Sequence, residues 1–231
     1  MKERPILFSG PMVRAILDGR KSQTRRVIKG APHDERQLEA VTVRNEACFI
    51  ERAHVGTPQE ICHYRYGEEG EQPAIACPYG APGDRLWVRE TWGLNHYEYE
   101  RAPIPKVRPA ALEDQYLAYQ ATEDDSEVRN ELRWRPSIHI PRWMSRLTLE
   151  IVEVRAERLL ACSEHDAEAE GLEWVTPGMW SVARHLPIIG DDPRTVYFHL
   201  WDHINGAGSA AADPWVWAVS FRVLDEAEAR R

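Results

Sequence analysis

The chain lacks any apolar run near the roughly 20 residues that span a bilayer, and its opening residues, Met1-Lys2-Glu3-Arg4-Pro5, form no signal-peptide pattern. The expectation is a cytoplasmic protein with no membrane partner. Net positive charge is also missing: the formal charge is −8. That argues against a general DNA-coating protein, which would be basic. A local basic pocket for one nucleotide or base is compatible with this balance. There is no Walker or dinucleotide-type glycine-rich loop, no internal repeat, and no linker separating two cores. A carboxylate cluster of the kind a metal-dependent nuclease needs is not seen either.

Cysteine is scarce. Cys48, Cys62, Cys77 and Cys162 are widely spaced, with no close Cys-x-x-Cys pair. With His63, three of them raise a weak zinc question; reduced, buried thiols are the default expectation, with no metal and no cofactor. His139, His199 and His203 have no partner pattern. Acidic residues gather at Glu68-Glu69, at Glu123 to Glu127 and near the C-terminus, and read as solvated loops and tails.

Hydrophobic residues make up 43% of the 231, enough for a sizeable core in one domain. Nine tryptophans stand beside only four phenylalanines. Tryptophan offers a wide apolar face and one donor, so it suits cores, ligand walls and base stacking.

Ile6 to Phe8 reads as a first strand. Ser9 is a candidate N-cap and Pro11 suits a first turn, so residues 9–18 form a short amphipathic helix that Gly19 stops. Strands are expected over 24–28, 48–50, 61–66, 85–92, 116–120, 147–158 and 215–223, with a turn at 67–70 and a polar loop or weak helix at 123–129. Helices are expected over 164–170, capped by Ser163 and stopped by Gly171, and over 196–204, ending at Asn205-Gly206. Residues 134–141 form a loop packed on the core. Short strands with peripheral helices indicate one α+β domain built on a small curved sheet or barrel.

The octet from Gly19 to Arg26 carries Lys21, the Thr24 hydroxyl, Arg20, Arg25 and Arg26 just past a helix end. A lysine in a cationic field has a lowered pKa and can act as a base toward a nearby hydroxyl. The same cations can instead hold phosphate. Downstream, alternation along 85–92 puts Leu86, Val88 and Glu90 on one face and Trp87, Arg89 and Thr91 on the other. A buried Glu90 would be a proton donor or a partner for Lys21. Arg26 and Arg89 are candidates for phosphate or sugar contacts; Tyr79, Trp87 and Trp92 are candidates for stacking on a base.

Two stretches together carry a resemblance. Gly19, Lys21, Thr24 and Arg26 match Gly-x-Lys-x-x-Thr-x-Arg, and Pro82-Gly83-Asp84-Arg85-Leu86-Trp87-Val88-Arg89-Glu90 follows in order. The chain resembles the ASCH domains of the PUA-like superfamily over nearly its whole length. With the Trp134 to Trp143 loop and the Trp201 to Gly206 helix end, it is similar to the longer members often encoded in phages and prophages. The resemblance implies a single PUA-like domain over 1–231: a small mixed β-barrel with flanking helices, a cleft, and insertions at about 30–75 and 93–135. It implies a metal-independent amidohydrolase that removes the acyl group from N(4)-acetylcytidine-type substrates. Carried over by motif, the catalytic set is Lys21, Thr24 and Glu90; beside it, the residues themselves make Gly19, Arg26, Arg89, Trp92 and Tyr79 the expected substrate-binding set. It also implies two alternatives: a non-catalytic module for RNA or modified nucleobases and, more weakly, a nuclease. In the hydrolase reading Thr24 attacks, Lys21 is its base, and a backbone N–H of the 19–23 turn or a guanidinium holds the oxyanion.

Overall fold

The computed structural model describes residues 1–29, 38–44, 47–52, 75–94, 106–108, 112, 116–123, 132–183 and 186–229. Outside them lie the expected 61–66 strand and 67–70 turn, nearly all of the 123–129 segment, Cys62 and His63 of the zinc question, and most of the two expected insertions.

The N-terminal strand β1 (Glu3–Leu7) leads into helix α1 (Gly10–Leu17). Ser9 occupies the N-cap position but its side chain makes no capping bond; Pro near the first turn and the buried Met12, Val13, Ala15 and Ile16 define the helix instead. Gly19, at φ +73°, ends it by donating to the Ile16 carbonyl at 3.0 Å. The chain then enters β2 (Gln23–Val27).

The strands β3 (Leu38–Arg44) and β4 (Ala47–Arg52) form an antiparallel pair, and β4 also pairs with the short β5 (Ile75–Ala76). The segment expected as one strand over 85–92 is two: β6 (Arg85–Arg89) and β7 (Trp92–Leu94), which leaves the first sheet to pair with β8 (Leu117–Tyr119). The long strand β9 (Thr148–Arg158) follows, then α2 (Glu164–Ala169). Ser163 caps α2 as expected, in a reciprocal capping box with Asp166. An unanticipated meander comes next: β10 (Glu173–Thr176), β11 (Met179–Ala183) and β12 (Leu186–Gly190). Helix α3 (Pro193–Asn205) packs on β11 and β12. The strand β13 (Trp215–Val223) and a last turn of helix, α4 (Glu226–Ala229), complete the order.

The central sheet has the order β1-β6-β9-β13-β2. The β1–β6 pair is parallel and the others are antiparallel. The α+β class holds. The sheet is open, however, with β1 and β2 as its edges, and none of the four sheets among the described residues closes into the expected barrel.

The main core gathers Leu86 and Val88 of β6, Leu149 and Ile151 of β9, and Val216 and Val219 of β13 against α1 and α3. Each such fully buried aliphatic stabilises by about 1.5–3 kcal/mol. A smaller cluster of Trp87, Trp92, Leu94, Leu112, Ile140 and Met144 fills the space beside β7. No helix among the described residues is long and apolar enough to cross a membrane.

Candidate functional site

The edge strand β2, the C-terminal end of α2 and the inner face of α3 converge on a pocket of about 390 Å³. Its lining includes Phe8, Lys21, Thr24, Arg26, Tyr79, Glu170, Tyr197 and Trp201. That volume lies within the range of small-molecule sites, and the combination of an apolar aromatic wall with a few polar groups is their usual chemistry.

Local backbone geometry delivers Lys21 to the floor. The turn after α1 folds back so that both Arg20 N–H and Lys21 N–H donate to the Ala15 carbonyl, each at 2.9 Å. Ser22 N–H donates to the Ala169 carbonyl at 3.0 Å, and Lys21 forms an isolated antiparallel bridge with Glu170. The Lys21 ammonium then donates to the Glu170 carbonyl at 2.8 Å and to Glu170 Oε2 at 2.7 Å. Lys21 is 3% exposed and Glu170 4%. Gly171 makes this approach feasible. Its φ is +101°, and a Cβ there would sit 2.9 Å from Ala15 Cβ and 3.0 Å from Lys21 Cβ.

Glu170 has a second set of partners. Its Oε1 accepts from Arg25 Nη1 and from the Tyr197 hydroxyl, both at 3.3 Å. Burial pulls the Lys21 pKa below the ordinary lysine range. Glu170 opposes that shift through its charge and hydrogen bond, while Arg26 and Arg25 add to it. Burial pushes the Tyr197 phenol well above its usual range, and the Glu170 charge adds to this. Tyr197 therefore stays a donor near neutral pH.

Thr24, on β2, is buried and lines the same pocket; no other described residue hydrogen-bonds its hydroxyl. Arg26 and Lys29 also line the pocket. Arg26 is tethered by a 2.6 Å bond to the Leu7 carbonyl, with its guanidinium 5.5 Å from the Phe8 ring centroid. Tyr79 stands in the wall.

The remaining expected residues lie elsewhere. Gly19 shapes the turn but does not line the pocket. Glu90 is buried as the strand alternation implies, at 1% exposure, yet both its oxygens are taken by Arg146 at 2.9 Å. Arg146 in turn stacks over Tyr119 at 4.2 Å. Glu90 therefore pins the 116–123 segment to β6, outside the pocket lining, and is not the partner of Lys21. Arg89 lies over Trp87, 4.6 Å from the ring centroid. Trp92 is fully buried in the smaller cluster with Trp87. None of these three reaches the pocket lining.

Two further expectations change. Arg20 is committed to Asp18 and to the Gly171 carbonyl, both at 2.8 Å, and does not line the pocket. The backbone N–H groups of Gly19, Arg20, Lys21 and Ser22 are all spent inside the fold, so the turn has none of these four to offer an oxyanion.

Sequence reading missed Glu170, Tyr197 and the pairing of Arg25. One signal was present. Asp166 and Glu170 are spaced i, i+4 on α2 and its cap, so they share a face. Both reach Arg25, with Asp166 Oδ2 3.3 Å from Nη2.

Searches against protein-family models, curated proteins and solved structures find no match to this chain.

Proposed function

We propose that the protein is a metal-independent amidohydrolase that removes the acyl group from an N(4)-acylated cytosine, acting from the pocket between β2, α2 and α3. The observation that carries this reading is one juxtaposition. A buried lysine with a lowered pKa is paired with Glu170 in the pocket where Thr24 presents a hydroxyl that no described residue bonds. The resemblance to ASCH domains points to the same lysine and threonine. Glu170, through its contact with Lys21, takes the place that the motif alone assigned to Glu90.

In this reading Phe8, Tyr79 and Trp201 form walls suited to a planar base. Thr24 Oγ1 attacks the acyl carbon while neutral Lys21 takes the hydroxyl proton. The carbon–nitrogen bond to the exocyclic amine then breaks, and Lys21 returns the proton to that nitrogen, leaving an acyl-threonine ester. Water cleaves the ester, Lys21 again moving the proton, to release the carboxylic acid and restore Thr24. Glu170 orients the Lys21 ammonium at each turn. Arg26, at the pocket, is the side-chain donor for the oxyanion, taking the role that the turn amides cannot fill.

The test is incubation with N(4)-acetylcytidine, followed by chromatography for cytidine, beside Lys21→Ala, Thr24→Val and Glu170→Gln. The expected result is turnover by the wild type and loss of it in all three. Absence of turnover, with tight binding of an oligonucleotide, would replace the enzyme with a nucleic-acid-binding module. Turnover surviving in Lys21→Ala would remove the mechanism.

A further inference from the structure

Arg25 is a fully buried guanidinium on the edge strand of the sheet; its side chain is 0% exposed. Its donors are divided among four acceptors. Nε and Nη2 hold Glu157 Oε1 at 3.0 and 2.7 Å, Nη2 also lies 3.3 Å from Asp166 Oδ2, and Nη1 holds Gln23 Oε1 at 2.6 Å and Glu170 Oε1 at 3.3 Å. From the outer side Arg155 takes the other oxygens, Glu157 Oε2 at 3.4 Å and Asp166 Oδ1 at 2.9 Å. Glu157 and Asp166 thus fix the Arg25 fork from β9 and α2, and the Nη1 edge is left facing the pocket carboxylate. Such a planar fork holds an orientation that a lysine could not.

The two oxygens of Glu170 are treated differently. Oε1 receives two donors, Arg25 and Tyr197, while Oε2 receives the short bond from Lys21. A carboxylate held at Oε1 from two directions cannot rotate to exchange its oxygens. We infer that Arg25, with Tyr197, is a positioning residue for the Lys21–Glu170 pair: it locks Glu170 so that Oε2 is presented to the Lys21 ammonium, and it places a fixed positive charge behind that carboxylate. This rests on the reading that Lys21 and Glu170 are the reactive pair, and it deepens that reading by naming what sets their geometry.

The groups that act on Lys21 are Glu170 at the end of α2 and Arg25 and Arg26 on β2. Tyr197 of α3 bonds the Glu170 oxygen opposite the one that Lys21 holds. Removing the Arg25 charge takes away one of the influences that lower Lys21, so Lys21 must hold its proton to higher pH.

The experiment uses the full chain with Arg25→Gln and, separately, Tyr197→Phe. Lys21 is followed by nitrogen NMR of labelled lysine side chains, assigned with Lys21→Ala, and N(4)-acetylcytidine hydrolysis is measured across pH. Arg25→Gln is expected to move the Lys21 midpoint upward, shift the acidic limb of kcat the same way, and lower kcat by roughly 10–100-fold with KM little changed. Tyr197→Phe is expected to lower kcat by less, leaving the midpoint near that of the wild type. An unmoved Lys21 midpoint in folded Arg25→Gln would overturn the inference. Should that variant not fold, Arg25→Gln with Glu157→Gln restores the charge balance and gives the same readout. A wild type without hydrolase activity would sink the proposed reaction, while the NMR titration would still decide the role of Arg25.

Discussion

Lys21 and Glu170 are 149 positions apart in the chain and are joined by both the backbone carbonyl and the carboxylate of the glutamate. A side chain held by two acceptors on one residue has little rotational freedom. The fold therefore fixes the position of the Lys21 nitrogen at the pocket floor before any ligand arrives.

The two buried glutamates should separate by readout. Glu170→Gln keeps the shape but removes the charge beside Lys21, and its loss is expected in kcat, about 100-fold or more. Glu90→Gln weakens the bidentate clasp with Arg146, so its loss is expected in stability, about 1–3 kcal/mol in urea unfolding, with hydrolysis kept. A variant pair with the opposite pattern would return the catalytic role to Glu90.

Gly171→Ala tests the close approach of α1 to the pocket floor. The new methyl group would meet Ala15 Cβ at 2.9 Å and Lys21 Cβ at 3.0 Å, on a backbone at φ +101°. Strain and overpacking together should cost about 2–4 kcal/mol. Thermal unfolding would show this, and activity measured well below the new midpoint should also fall because Lys21 is displaced.

Stability should decline on acidification. Burial alone would raise the Asp166 carboxyl, but hydrogen bonds from Ser163 and Arg155 and the charge of Arg25 hold it well below the usual range. Asp84 is lowered likewise against its burial by Arg4 and by the N–H groups of Lys2 and Ala81. Both folded-state values lie below the unfolded ones, so the unfolded chain binds more protons as pH falls through the ordinary carboxylate range. Their contribution is complete above that range and is lost below it. Urea unfolding between pH 7 and pH 3 should show the decline, and Asp166→Asn should be less stable at pH 7 with a shallower slope.

Cys162 should be inert while the protein is folded. Burial first, and then the nearby carboxylates, push its thiol up to about 12 against the opposing charge of Arg25. Alkylation at pH 8, mapped by peptide mass spectrometry, is expected to miss Cys162 in the native protein and to label it in denaturant. Rapid native labelling would mean that the α2 end opens readily.

Local pattern made much of the fold legible. The apolar spacing of Met12, Val13 and Ile16 with Gly19 gave α1, strict alternation gave β9, and Ser163 with Gly171 bounded α2. The meander of β10 to β12 was not legible. Its strands are short, and burial does not alternate along them: the neighbours Trp174 and Val175 are both exposed while the neighbours Ser181 and Val182 are both buried, so no period of two shows in the sequence.

Within the site, the residue types and spacing of Gly19 to Arg26 singled out Lys21 and Thr24 without any structure, because a lysine and a hydroxyl beside cations on a helix-ending turn are a local arrangement. Alternation along β6 also foretold that Glu90 is buried. Which glutamate meets which cation was decided only in three dimensions. Local periodicity sets the face a side chain takes, but an ion pair is chosen by how distant elements pack. Here the antiparallel bridge at Lys21 and Glu170 brings the end of α2 to the pocket, while Arg146 reaches Glu90 from the segment before β9.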